Sequence, residues 1–223
     1  GAAFEPSHRT SRMSGRAAQW RASVARIVPL AWPVFMGQVA MVLFATVDTV
    51  LVARYSAIDL AALAVGSAAY ITVFIGLMGV VLAVGPIVGQ LFGAKRYAVA
   101  GEQLHQAVWL ALGLAVLGSA LLIFPQPFIA LSRSTPEVAG KLRHYLLALA
   151  LALPAGLLFA AFRGFNNAVS RPKAVMVLQL SGLALKAPLA ALLVHGAGPL
   201  PALGVTGCGL STAISMWVVV LVS

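Results

Sequence analysis

The sequence predicts an all-α integral membrane fold of six transmembrane helices, and three observations carry that prediction. Hydrophobic residues make up 61% of the 223 residues and charged residues 9%, against about 25% charged in an ordinary soluble domain. Six apolar runs come near the roughly 20 residues that a helix needs to cross the hydrocarbon core. The basic residues gather at the edges of those runs, where membrane proteins place them. A formal charge of +10 raises nucleic acid as a partner. No basic-aromatic face or nucleic-acid motif accompanies it, so no nucleic acid is expected. Cys208 is the single cysteine, which permits no internal disulfide and no cysteine metal cage.

Residues 1–26 hold five arginines, Arg9, Arg12, Arg16, Arg21 and Arg26, and no apolar segment of their own. This argues against a cleavable signal peptide and reads as a basic cytoplasmic tail. The stretch MSGRAAQWRASVARI leaves Met13 open as a native start. A six-helix transmembrane lobe then occupies 27–223, with spans at about Ile27–Ala53, Leu60–Phe92, Leu104–Phe124, Leu142–Phe162, Ala174–Val194 and Leu203–Val222. The second run is longer than a crossing requires, so from Gly85 its end is expected to tilt or to project into the cytoplasm. Gly85, Gly89 and Gly93 recur on one side of it, a spacing that predicts close approach of a neighbouring helix. Polar turns such as RYSAID, SRSTPEVAGK, NNAVSRPK and HGAGPLP separate the spans, with the Gly, Pro and Asn punctuation of loops.

A cytoplasmic amino terminus places the five tail arginines, Lys95, Arg96, Arg163, Arg171 and Lys173 on the inner side, and only Arg54, Arg133, Lys141 and Arg143 on the outer. That bias predicts both termini inside a cell inner membrane. The remaining basic residue, Lys186, falls inside the fifth span, and Asp48 falls inside the first. Charged groups at membrane depth usually face a protein interior and often mark ion or proton pathways. Asp48 also sits in the last turns of its helix, where the macrodipole disfavours a carboxylate. At about 1.5 Å per residue, Lys186, Ser211 and Thr212 lie at one level, roughly 12–13 Å from the outer ends of their spans. On the helical wheel Gln38, Asp48 and Thr49 share one broad face. Pro33, Pro154 and Pro188 each remove a helical hydrogen bond inside a span, which predicts a kink at Pro33 and a cavity beside Pro188.

Other chemistry finds little support. His8, His105, His144 and His195 lie in the tail or at span ends, as solvated side chains do. GLST at Gly209–Thr212 is too remote from His195 to suggest a serine hydrolase. No HExxH, phosphate loop or dinucleotide fingerprint is present, so neither an enzyme nor a bound metal or cofactor is expected.

The blocks LAWPVFMGQVAMVLFATVDTVLVA, DLAALAVGSA, GPIVGQLFGAKR, LALPAGLLFAAFRGFNNAVSRPKAVM and LPALGVTGCGLSTAISMW, in this order and spacing from about Val28 to Trp217, resemble the multidrug and toxin extrusion (MATE) family in its NorM-like branch. The resemblance implies one lobe, the amino-terminal one, of a twelve-helix secondary transporter that exports cationic or amphipathic drugs by antiport with H⁺ or Na⁺. It further implies that Asp48, fifteen residues after Pro33, and Thr212 serve coupling; the helical wheel adds Gln38 as a polar neighbour. Where the family pattern resembles N-x-P-x-N/D, this chain has KAPLA, with Lys186 and Ala190 at the polar positions. A Na⁺ site needs several oxygen donors, and an ammonium supplies none while repelling the cation. An internal ion pair between Asp48 and Lys186 is expected instead. The implied partners are a small-molecule substrate, membrane lipid and either a second lobe or a second copy of the chain. A lipid-linked oligosaccharide flippase of the same superfamily and a non-transporting membrane subunit stand as alternative functions.

Overall fold

In a computed structural model of the chain, residues 7–223 are described, with side chains from Ala18 onward. They form α1 (Ser7–Tyr55), α2 (Ala57–Leu82), α3 (Val84–Gly93), α4 (Tyr97–Ile123), α5 (Gln126–Ser132), α6 (Pro136–Ala168), α7 (Pro172–His195) and α8 (Val205–Val222). Counting α2 and α3 as one run, six helices are long and apolar enough to cross a membrane, and no strand occurs among the described residues. The protein is a multi-pass membrane protein.

Local chemistry explains most boundaries. Ser56 caps α2, its hydroxyl accepting from the Asp59 amide at 3.4 Å, and Thr135 caps α6 in the same way, with Pro136 and Glu137 opening the helix. The second crossing divides at Ala83, two residues before the glycine from which the sequence predicts a tilt. Pro86 has no N–H for the Leu82 carbonyl, so the helical ladder is interrupted there. Helix α1 begins within the stretch read as a tail. Its Ala, Arg and Gln content favours helix, while His8, Arg9, Arg12, Met13 and Arg16 have side chains outside the described part.

Helix α6 is the hub, packing against α2, α4 and α8, while α1 lies on α7 and α7 on α8. Along α6, Leu142, Leu146, Leu149, Leu153, Leu157 and Ala160 are buried at three- and four-residue intervals, the stripe an amphipathic helix turns to a core. Elsewhere large apolar side chains such as Ile75, Val116, Leu121 and Leu147 face outward, as lipid-facing surfaces require. The close approach of helices occurs at Gly207, where a Cβ would collide with the Leu193 carbonyl of α7. It does not occur along Gly85, Gly89 and Gly93: Gly85 alone is approached, by Gly164 O at 3.8 Å from its would-be Cβ, and the other two face open space. The predicted glycine seam is therefore corrected, because α3 turns that face away from its neighbours.

Candidate functional site

Asp48 on α1, Lys186 on α7 and Thr212 on α8 meet where those three helices converge. Lys186 is fully buried and Asp48 nearly so, at 9% exposure. The Lys186 Nζ donates to Asp48 Oδ2 at 2.5 Å and to Thr212 Oγ1 at 2.8 Å. Its third side rests on the Phe44 ring, 3.5 Å from the centroid, one helical turn before Asp48. An ammonium has three donors, and here each direction has a partner. The Thr212 hydroxyl gives its own proton to Cys208 O at 3.1 Å, which leaves its lone pairs free to accept from the lysine. Asp48 Oδ1 is buried with no hydrogen-bond partner among the described residues.

Taking a charge pair out of water is costly, and only good geometry with further hydrogen bonds offsets it; removing one partner typically costs about 3–5 kcal/mol. The threonine and the aromatic face supply those further contacts. Beside the pair, Met41, Phe44, Phe159, Ser215 and Met216 line an apolar cavity of about 80 Å³. Among the described residues, no group of three His, Cys, Asp or Glu side chains converges as a metal site would require.

The remaining candidates lie elsewhere. Gln38 and Pro33 line a second cavity with Arg163, Asn167 and Gln179. Ten residues separate Gln38 from Asp48, about 15 Å along the axis, so a shared helical face did not make them neighbours. Pro33 is buried within an α1 that continues through it. Pro188 is exposed on α7 and borders none of the described cavities. Thr49 is exposed and bonds to the Ala45 carbonyl.

Three contributors were missed from sequence. Phe44 is one apolar residue among many on α1, and only the fold brings it under Lys186. Arg163 reads in sequence as a basic residue at a span edge. Asp59, buried at 1%, accepts from the Val205 amide at 2.8 Å and lies 3.5 Å from Lys141, so one carboxylate ties α2 to the amino terminus of α8 and to α6. The Ser56-x-x-Asp59 spacing resembles a capping box, a signal for the local cap but not for this distant bond.

A family model described as MatE matches residues 33–192, a segment that contains both Asp48 and Lys186. The chain belongs to the MatE family. Over 193 residues it is 48% identical to a probable multidrug resistance protein NorM of Aromatoleum aromaticum, covering 86% of this chain and 42% of that relative. Over 203 residues it is 34% identical to the multidrug resistance protein NorM of Vibrio cholerae, covering 91% and 44%. The chain thus spans less than half the length of these MATE relatives. Its fold matches the Vibrio cholerae MATE transporter VcmN in the bent form, with TM-score 0.81 at 19% identity over 90% of this chain and 45% of that one. An outward-facing multidrug resistance MATE transporter of the MOP superfamily matches with TM-score 0.74 at 20% identity, over 88% and 43%. The six helices are accordingly one lobe of a MATE-type fold.

Proposed function

We propose that this chain is the amino-terminal lobe of a secondary active multidrug exporter of the bacterial inner membrane, with its amino terminus cytoplasmic and H⁺ as the coupling ion. The observation that carries the reading is the buried Lys186–Asp48 pair, braced by Thr212. The relatives named as multidrug resistance proteins support drugs as the exported class, and the carboxylate beside an apolar cavity is the reason to propose cationic or amphipathic ones. A proton delivered to Asp48, or a cationic substrate facing it, competes with the lysine for one carboxylate. Either event frees the ammonium and loosens α1 from α7 and α8. The apolar cavity lined by Met41, Phe44 and Phe159 gives an amphipathic molecule a surface beside that carboxylate. Lys186 already occupies the place beside Asp48, so Na⁺ meets an ammonium there instead of a ring of oxygens. A second lobe, or a second copy, covers the polar face that a single lobe leaves toward lipid.

The test is reconstitution of the full-length natural protein in vesicles with an imposed gradient. Efflux of a cationic dye should follow a pH gradient and be indifferent to a Na⁺ gradient at constant pH. Efflux driven by Na⁺ alone would remove proton coupling through this pair.

A further inference from the structure

The second cavity, about 230 Å³ in volume, lies between α1, α6 and α7, where α6 ends and α7 begins. The charge of its polar lining is one-sided. Arg163 contributes a guanidinium, and Gln38, Asn167 and Gln179 contribute primary amides. No carboxylate lines the cavity, and Arg163 makes no ion pair among the described residues. A guanidinium carries five N–H donors. The one side-chain acceptor that Arg163 reaches is the Met78 thioether, at 3.4 Å, a weak acceptor. The three amides make no side-chain hydrogen bond among the described residues.

The backbone adds to the same balance. The first turn of α7 borders the cavity through Pro172 and Val175, bringing the positive end of a 24-residue helix. The opposing carboxyl end of α6 contributes less negative potential than a free end, because three of its last four carbonyls are occupied. Phe165, Asn166 and Asn167 accept from the amides of Val169, Arg171 and Ser170. Exposed Arg171 and Lys173 flank this end of α7.

A cation would be repelled here, and an apolar group would leave the Arg163 guanidinium with only a thioether as side-chain acceptor. We infer that this cavity binds a phosphate oxyanion, with Arg163 as the charged anchor and the amides of Gln38, Asn167 and Gln179 completing the shell. The planar fork of arginine matches phosphate oxygens two at a time. Basic pockets between membrane helices on the cytoplasmic side take phospholipid head groups in this way. A free phosphate presents the same oxygens.

Thermal unfolding of the full-length natural protein in detergent separates these sources. Sodium phosphate and, separately, dioctanoyl phosphatidylglycerol are titrated against sodium chloride at matched ionic strength. The site predicts a saturable rise in midpoint with phosphate or the lipid that chloride does not reproduce. Losing the charged anchor in Arg163→Gln should raise the half-saturating concentration by about tenfold or more, and Asn167→Ala by about threefold. Half-saturation by the lipid at concentrations about tenfold below those of phosphate, lost in Arg163→Gln, assigns the site to a head group; equal values assign it to the free ion. Asn167 is exposed, so its truncation leaves the fold intact and decides the matter if Arg163→Gln does not fold. Absence of any phosphate- or lipid-specific rise, or a half-saturation unchanged in the folded variants, overturns the inference.

Discussion

Lys186 illustrates how a buried charge is tolerated: a carboxylate, a hydroxyl and an aromatic face surround one ammonium. Removing either charge strands the other. Asp48→Asn and Lys186→Met should each destabilise the protein by about 3–5 kcal/mol, while the double variant should fall short of their sum by a coupling of about 0.5–3 kcal/mol. Thermal unfolding of all four proteins in detergent measures that coupling, and strict additivity would mean the pair contributes nothing as a pair. Thr212→Val keeps the shape but deletes the second acceptor of the ammonium, so a loss of about 1.5–3 kcal/mol is expected, with Thr212→Ser retaining most of the stability. At this scale the sequence was informative about type and depth. A carboxylate and an amine inside apolar runs identify themselves by rarity, whereas Thr212 is one hydroxyl among several in the spans and was singled out by its level and by the family resemblance. Phe44 does not, because an aromatic residue in a membrane helix has many possible neighbours and only the packing of α1 on α7 chooses one.

The helices themselves follow from apolar runs closed by Ser56, Thr135, Pro136 and Pro172, and all six crossings were legible in that pattern. Their mutual packing was not. Gly85, Gly89 and Gly93 carry the spacing of a packing seam, yet spacing cannot say whether a neighbour faces it, and two of the three face open space. The wheel likewise grouped Gln38 with Asp48, since it records angle and discards height. Asp59 acts at the level of elements by holding the amino terminus of α8, and hence the height of Thr212. Gly204, at φ +60, takes a backbone that side chains rarely adopt, and a Cβ there would collide with the Asp59 carboxylate. Gly204→Ala should therefore cost about 2 kcal/mol or more, from a strained backbone of about 1–3 kcal/mol plus the collision. Asp59→Asn keeps an acceptor but loses its charge at a helix amino terminus, a loss of about 1–2 kcal/mol. Lys141 is half exposed, so Lys141→Ala should change stability by about 1 kcal/mol or less. Unfolding midpoints in the reverse order would contradict this account of the α2–α8 junction.

For the whole molecule, the positions of Lys and Arg around the six spans predict an orientation with both termini inside. Cysteines introduced singly at Ser134 and Ala98 should label with an impermeant thiol reagent in intact cells at Ser134 and not at Ala98. Preferential labelling at Ala98 would invert the lobe, and with it the side from which a proton reaches Asp48. The chain matches its MATE relatives over less than half their length, so the proposed transport is to be measured on the full-length natural protein. The central claim is that the Asp48 carboxylate carries the coupling proton and that Lys186 holds its place between turnovers. The most direct measurement is pH-gradient-driven drug efflux by the reconstituted full-length protein bearing Asp48→Asn together with Lys186→Met, the variant in which neither charge is stranded. The account predicts a folded protein whose efflux no longer responds to the gradient. Undiminished pH-driven efflux from that variant would contradict it.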